Sequence, residues 1–263
     1  FVLLRMGDVL QVLWDNPLEH WAAEHDLAFL HPTFILIGLL VLVVVFLLLS
    51  LRGSKKRPKG SIHLITGITN SGKTTLYARL YRGSFDKTVS SLLENEAKFP
   101  LSGHDNEDKI YHIVDYPGHL EVKNKLFSDF VPNAKSIIFM VDAVNFPAQV
   151  RDVAGYLYML LMNKSVNDLE IPILVACNKS EMITAQEPEK IRKQLEKELN
   201  QLRETRTSMP GIQGENADDE DEFYLGYENQ PFEFTHLPFE VEFVSCSVAK
   251  PSLDAVISYL ERD

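Results

Sequence analysis

The chain is poor in cysteine, in positive charge and in internal repetition. It holds two cysteines in 263 residues, Cys177 and Cys246, each near the end of an apolar run, and no Cys/His spacing of a zinc site. This excludes a disulfide-stapled scaffold and a zinc module; both thiols read as reduced and structural. Lys and Arg number 26 against 37 Asp and Glu, for a formal net charge of −11. An acidic surface is a poor partner for a phosphate backbone, so no direct nucleic-acid contact is expected. With no internal repeat, a solenoid or a propeller has no support.

Charge is missing altogether from one stretch. From Phe34 to Leu49 every residue is apolar or Gly, and Phe29, Leu30 and Leu51 extend the run. As a helix, residues 29–51 would span about 34 Å, enough for the ~30 Å hydrocarbon core of a bilayer. The other readings are a buried core helix or a signal-peptide core. A signal core is shorter, and no small-residue cleavage site follows. A single transmembrane helix is therefore expected over 29–51. The chain begins at Phe1, so its natural start is expected further upstream.

The flanks orient this span. Arg52, Lys55, Lys56, Arg57 and Lys59 follow it, whereas residues 1–31 carry one Arg against five carboxylates. The positive-inside rule puts residues 1–28 outside, as a short lumenal segment, and the rest of the chain in the cytosol. Residues 52–60 form a basic linker that reaches at most about 30 Å. Its charges read equally as a stop-transfer flank or as a contact with anionic headgroups, at ~1 kcal/mol each. Residues 60–263 are left with a net charge of −12 and enough length for one good-sized core.

That cytosolic part alternates between two patterns. Apolar, β-branched runs occur at Ile62–Thr66, Ile110–Val114, Ser136–Val141, Ile173–Cys177 and Val241–Ser245. Helical spacing occurs at Thr74–Arg82, Val122–Phe130, Ala148–Met162, Ala185–Arg206 and Ser252–Leu260, the fourth with a Thr184/Glu187 capping box. Such alternation predicts an α/β domain over 61–263, a mostly parallel sheet flanked by helices, with its ligand at the carboxyl ends of the strands. Residues 211–222 carry six carboxylates and two Gly, and read as a solvated acidic loop or a docking surface for a basic partner.

The chemistry sits where strands end. Gly67, Ile68, Thr69, Asn70, Ser71 and Gly72 follow the first strand, and Lys73, Thr74 and Thr75 open the next helix. This is a phosphate-binding P-loop: backbone N–H groups surround the phosphates, Lys73 reaches the β and γ oxygens, and the Thr74 hydroxyl ligates Mg²⁺. Asp115-Tyr-Pro-Gly118 ends a later strand, where a carboxylate can hold Mg²⁺ through water and the Gly118 N–H can sense the γ-phosphate. His119 stands where a water-orienting catalytic group would lie; its other reading is an exposed switch histidine. Thr88 is the only threonine between Thr75 and Asp115, and so the candidate to complete the Mg²⁺ shell, with Val89, Ser90 and Ser91 beside the nucleotide. Asn178-Lys179-Ser180-Glu181 differs from the guanine-reading Asn-Lys-x-Asp by one methylene, and Glu181 offers the same acceptor to guanine N1 and N2. Ser247 and Val248 lie in a late loop resembling the Ser-Ala-Lys element of small G proteins. Four elements in this order point to GTP with Mg²⁺.

With these elements the chain resembles the signal recognition particle receptor β-subunit family, which joins an N-terminal membrane span to a cytosolic G domain related to the Arf and Sar GTPases. Beyond the G elements, the likeness rests on Asp115–His119, on Gln194–Arg203 with Thr205-Arg206, and on Phe232–Pro238. The resemblance implies a P-loop GTPase domain behind a single transmembrane helix in the endoplasmic reticulum membrane. It implies a hetero-oligomer in which GTP-bound switches grip the N-terminal domain of the receptor's α subunit, with the signal recognition particle and the ribosome engaged indirectly. Hydrolysis would be slow or partner-dependent. The alternative is an Arf/Sar-like cycling GTPase of vesicle traffic, although such proteins generally use a detachable N-terminus. A dead structural anchor is the third reading, against which Lys73 and Thr74 argue.

Overall fold

The computed structural model describes residues 37–42, 60–83, 93–101, 109–118, 125–207, 224–250 and 252–262. The chain divides into two units, Phe1–Arg57 and Pro58–Asp263. In the first, residues 37–42 are helical, with Ile37, Leu39, Leu40, Val41 and Leu42 all exposed. They are the centre of the expected span; the remainder of 29–51, segment 1–28 and linker residues 52–59 lie outside the described residues. Among the described residues no helix is long and apolar enough to cross a membrane.

The second unit is built on a six-stranded sheet. The strands are β1 (Ile62–Gly67), β2 (Asn95–Pro100), β3 (Ile110–Asp115), β4 (Ala134–Asp142), β5 (Ile173–Asn178) and β6 (Val241–Ser245), in spatial order β2-β3-β1-β4-β5-β6. Every neighbouring pair is parallel except β2 with β3. Among the described residues, four α-helices lie between strands, α1 (Lys73–Arg82), α2 (Phe146–Leu161), α3 (Lys164–Asp168) and α4 (Pro188–Thr207), and α5 (Asp254–Glu261) follows β6.

Strands β1, β4 and β5 are buried on both faces, which is why they read as unbroken apolar runs. The two-residue period of β4 divides its side chains between two cores. Ile137, Phe139 and Val141 pack with Val153, Leu157 and Leu161 of α2 and Ile191, Leu195 and Leu199 of α4. Ile138 and Met140 pack on the other face with Leu76 and Leu80 of α1 and Val256 and Leu260 of α5. Cys177 and Cys246 are free and buried. Burial pushes both thiols up, Cys246 to about 12, so neither presents a thiolate.

Three boundaries differ from expectation. Strand β2 had no counterpart in the sequence reading, because its exposed Glu96, Lys98 and Pro100 are the marks of a sheet edge, not of an apolar run. Helix α4 begins at Pro188, not Ala185. A proline lacks the N–H that a first helical turn leaves unpaired, and the Glu187 carbonyl accepts from Lys190 and Ile191. The Thr184/Glu187 capping box is therefore not formed at this helix; Met182 to Ala185 make a turn instead. The helix expected over 122–130 is described only as residue 125 followed by a π-turn, Leu126–Phe130, that runs into a 3₁₀ turn holding Pro132. The acidic residues 211–222 lie outside the described residues.

Candidate functional site

The carboxyl ends of β1, β3, β4, β5 and β6 share one rim of the sheet, and the polar residues that close these strands meet there. After Gly67 the chain turns through Asn70 and Gly72, both at positive φ, before α1 starts at Lys73. No side chain caps α1 at Gly72, and the N-terminus of a helix favours an anion. The Ser71 hydroxyl donates to the Ile68 carbonyl at 2.8 Å, and Lys73 Nζ donates to the same oxygen at 2.7 Å. Lys73 thus lies across the loop, only 6% exposed. Burial pushes its ammonium down to about 8, although Asp115 opposes the shift. An anion in the loop would favour the charged form.

Asp115 closes β3 and is 1% exposed. Its Oδ2 accepts from Thr74 Oγ1 at 2.8 Å and from Asn95 Nδ2 at 3.0 Å. Its Oδ1 has no hydrogen-bond partner among the described residues. Burial raises the carboxyl pKa, against the two hydrogen bonds and Lys73. A buried, open carboxylate oxygen beside a threonine hydroxyl fits a hard divalent cation. No cluster of three His, Cys, Asp or Glu occurs among the described residues, so these residues alone make no closed cage. That is the arrangement in which water and phosphate oxygens complete the shell of Mg²⁺. Gly118 lies directly against the loop: a Cβ there would stand 2.7 Å from the Gly67 carbonyl oxygen and the Thr69 nitrogen.

The other end of the rim is organised by Asn178, the buried last residue of β5. Its Nδ2 donates to the Ser71 carbonyl at 2.9 Å, and its Oδ1 accepts from the Val248 N–H at 3.0 Å. One amide therefore joins the loop after β1 to the loop after β6. Lys179 follows at positive φ and forms an ion pair with Asp142, the last residue of β4. Asp142 also accepts from the Val144 and Asn145 N–H groups at 3.0 and 3.1 Å and from Asn145 Nδ2 at 2.8 Å. Burial works against its charge, yet these bonds outweigh it and hold the carboxyl below its usual range. Glu181 has a buried Oε2 with no partner among the described residues. The Ser247 N–H donates to the Ser252 carbonyl at 3.1 Å, and Ser247 Oγ accepts from Lys250 N–H at 3.0 Å. The Ser247 N–H thus shapes its own loop, whereas the Val248 N–H ties that loop to the end of β5.

The structure brings Gly67–Thr75, Asp115, Gly118, Asn178, Lys179, Glu181, Ser247 and Val248 to this rim. Thr88, Val89, Ser90, Ser91 and His119 lie outside the described residues. Two rim residues escaped the sequence reading. Asn95 begins the unrecognised edge strand, whereas Asp142 carried a legible signal, a lone carboxylate closing a run of buried apolar residues.

The family model of the signal recognition particle receptor beta subunit matches residues 59–241. The signal recognition particle receptor subunit beta of Mus musculus is 32% identical over 218 residues, 82% of this chain and 79% of its own. The Saccharomyces cerevisiae protein of that name is 35% identical over 188 residues, 67% of this chain and 74% of its own. The solved mammalian SRP receptor superposes with a TM-score of 0.66 at 31% identity, covering 76% of this chain and 98% of the other.

Proposed function

Because the chain belongs to the signal recognition particle receptor beta subunit family, we propose that it is a membrane-anchored, GTP-binding subunit that holds the receptor's α subunit at the endoplasmic reticulum. Its α/β small GTPase fold, a mostly parallel sheet flanked by helices, is shared with those relatives. The observation that carries the nucleotide reading is the pair of buried, open carboxylate oxygens at the two ends of one rim, Asp115 Oδ1 and Glu181 Oε2.

Each residue then has a role. The loop from Gly67 to Gly72, with the first turn of α1, holds the phosphates, and Lys73 balances their charge. Thr74 and Asp115 hold Mg²⁺, which when bound neutralises phosphate charge, and Thr88 completes its shell. Glu181 accepts from guanine N1 and N2, while Asn178 keeps the base and phosphate loops in register. Gly118 senses the γ-phosphate, Val89, Ser90 and Ser91 are the candidates beside the nucleotide, and His119 is the candidate to orient water in a slow or partner-dependent hydrolysis. A solved relative from Chaetomium thermophilum is described as an SRb-GTP/SRX complex, which favours the same ligand and a partner here. That partner is the N-terminal domain of the α subunit, gripped in the GTP-bound state, with the signal recognition particle and ribosome reached through it.

The anchoring follows the charge pattern: residues 1–28 lumenal, 29–51 spanning, 52–60 a basic linker, and 61–263 the cytosolic G domain. The test is the nucleotide content of the purified full-length chain with and without the α subunit. Retained GTP with negligible turnover is expected, and rapid turnover would refute the tethering reading. Lys73→Ala should lose both nucleotide and partner; unchanged GTP affinity would refute the site.

A further inference from the structure

We propose that Asn95 is a positioning residue of the Mg²⁺ site, fixing the Asp115 carboxylate so that Oδ1 stays open to the cation shell. The inference rests on the nucleotide reading above and deepens it. Asn95 and Asp115 are paired across the antiparallel β2–β3 ladder, so their side chains leave the same face of the sheet. On that face Ala97 and Phe99 continue into the core beneath α1. An apolar residue at position 95 would extend this core, yet an amide stands there, at the end of the strand where Asp115 lies.

The geometry says what the amide does. A carboxylate turns easily about its last torsion, and either oxygen can serve a single donor. Here Oδ2 takes two donors, Thr74 Oγ1 at 2.8 Å and Asn95 Nδ2 at 3.0 Å, arriving from two different elements. Two donors fix which oxygen is engaged, and Oδ1 is the one left open. The same arrangement orients Thr74. Its single hydroxyl proton is committed to Asp115. The preceding residue, Glu94, is ion-paired with Lys125, which fastens the start of β2 to the chain beyond Asp115. An edge strand with a partner on one side only is thereby tied at the point where its amide must be accurate.

The experiment compares release of a fluorescent guanine nucleotide from full-length protein in Mg²⁺ and in EDTA. Wild-type protein should release nucleotide faster in EDTA. Asn95→Ala should release it about tenfold faster in Mg²⁺, as expected for loss of one hydrogen bond to a charged group. In EDTA its rate should match wild type, because the cation is gone from both. Asn95→Asp, equal in size but without the donor, should lose the Mg²⁺ effect further. If either variant raises both rates equally, Asn95 is merely structural and the proposal falls. Wild-type rates in Mg²⁺ from both variants would also overturn it. Wild-type release indifferent to EDTA would overturn the Mg²⁺ site itself, and this inference with it.

Discussion

Gly72→Ala adds one methyl group where the loop after β1 meets Asn178. Gly72 sits at φ 98 and ψ 18, a left-handed conformation that costs any other L-residue about 1–2 kcal/mol. The new Cβ would also stand 2.2 Å from Asn178 Nδ2, so that side chain must move. Moving it breaks the Asn178–Ser71 hydrogen bond and leaves a buried carbonyl unpaired, for another ~1–3 kcal/mol. The sum is about 2–5 kcal/mol. A unit of this size loses roughly 2–4 °C of melting temperature per kcal/mol, so a fall of roughly 4–20 °C is expected. The control is the same change at Gly155 in α2, where nothing lies within 4 Å of the added carbon. There Ala should stabilise, by about 0.5–1 kcal/mol, because it lowers the entropy cost of the helix. Thermal melts of nucleotide-free protein, followed by titration with a fluorescent guanine nucleotide, read both terms. If Gly72→Ala melts with wild type and binds as tightly, the Asn178 joint does not hold the loop and the reasoning is wrong.

Other perturbations probe the rest of the domain. Arg203 of α4, 4% exposed, donates to the carbonyls of Leu225, Tyr227 and Gln230 at 3.0, 3.1 and 2.6 Å. Arg203→Met removes those donors, so at ~1 kcal/mol per bond it should cost about 3 kcal/mol and expose 224–231 to protease; unchanged cleavage would refute the clamp. Lys73 should make the empty protein gain stability with pH: its folded value of about 8 lies below the ordinary 10.5, so the charged form is penalised below pH 8 and the penalty fades as pH rises toward 10.5. The stability difference from Lys73→Met should change across that window, and a flat difference would refute it. Glu181→Gln should weaken GTP about tenfold or more while barely affecting ATP; equal weakening would mean the carboxylate does not read the base.

The motif-bearing half of this architecture was legible because it is local. A P-loop is contiguous, and β1, β4 and β5 announce themselves as apolar runs because both faces of the sheet are covered. Strand β2 was not legible for the converse reason. Among the described residues only one of its edges is paired, and Asn-Glu-Ala-Lys-Phe-Pro has the polarity of a loop. The start of α4 was misplaced because Thr184 and Glu187 have capping-box spacing while Pro188 already supplies a ready first turn. Asn95 and Asp142 act through partners 20 and 37 residues away, which no short window contains.

On the proposed reading, the rim also explains how Glu can stand at position 181. A carboxylate oxygen buried without a donor destabilises the protein that carries it. Among the described residues, Glu181 Oε2 and Asp115 Oδ1 are both in that position, and burial lowers the pKa of Lys73 to about 8. GTP with Mg²⁺, the ligand proposed here, would complement all three with a pair of ring donors, a cation and a chain of phosphates. The empty site is therefore the costly state, and the stem length of Glu181 matters less than whether its oxygen meets a donor. Asn178 then links the two halves of the relief, since it is bonded at once to Ser71 on the phosphate loop and Val248 on the base loop. Filling either half alone would leave that amide to hold a loop still unsatisfied at the other end, so base and triphosphate should stabilise the fold together more than separately.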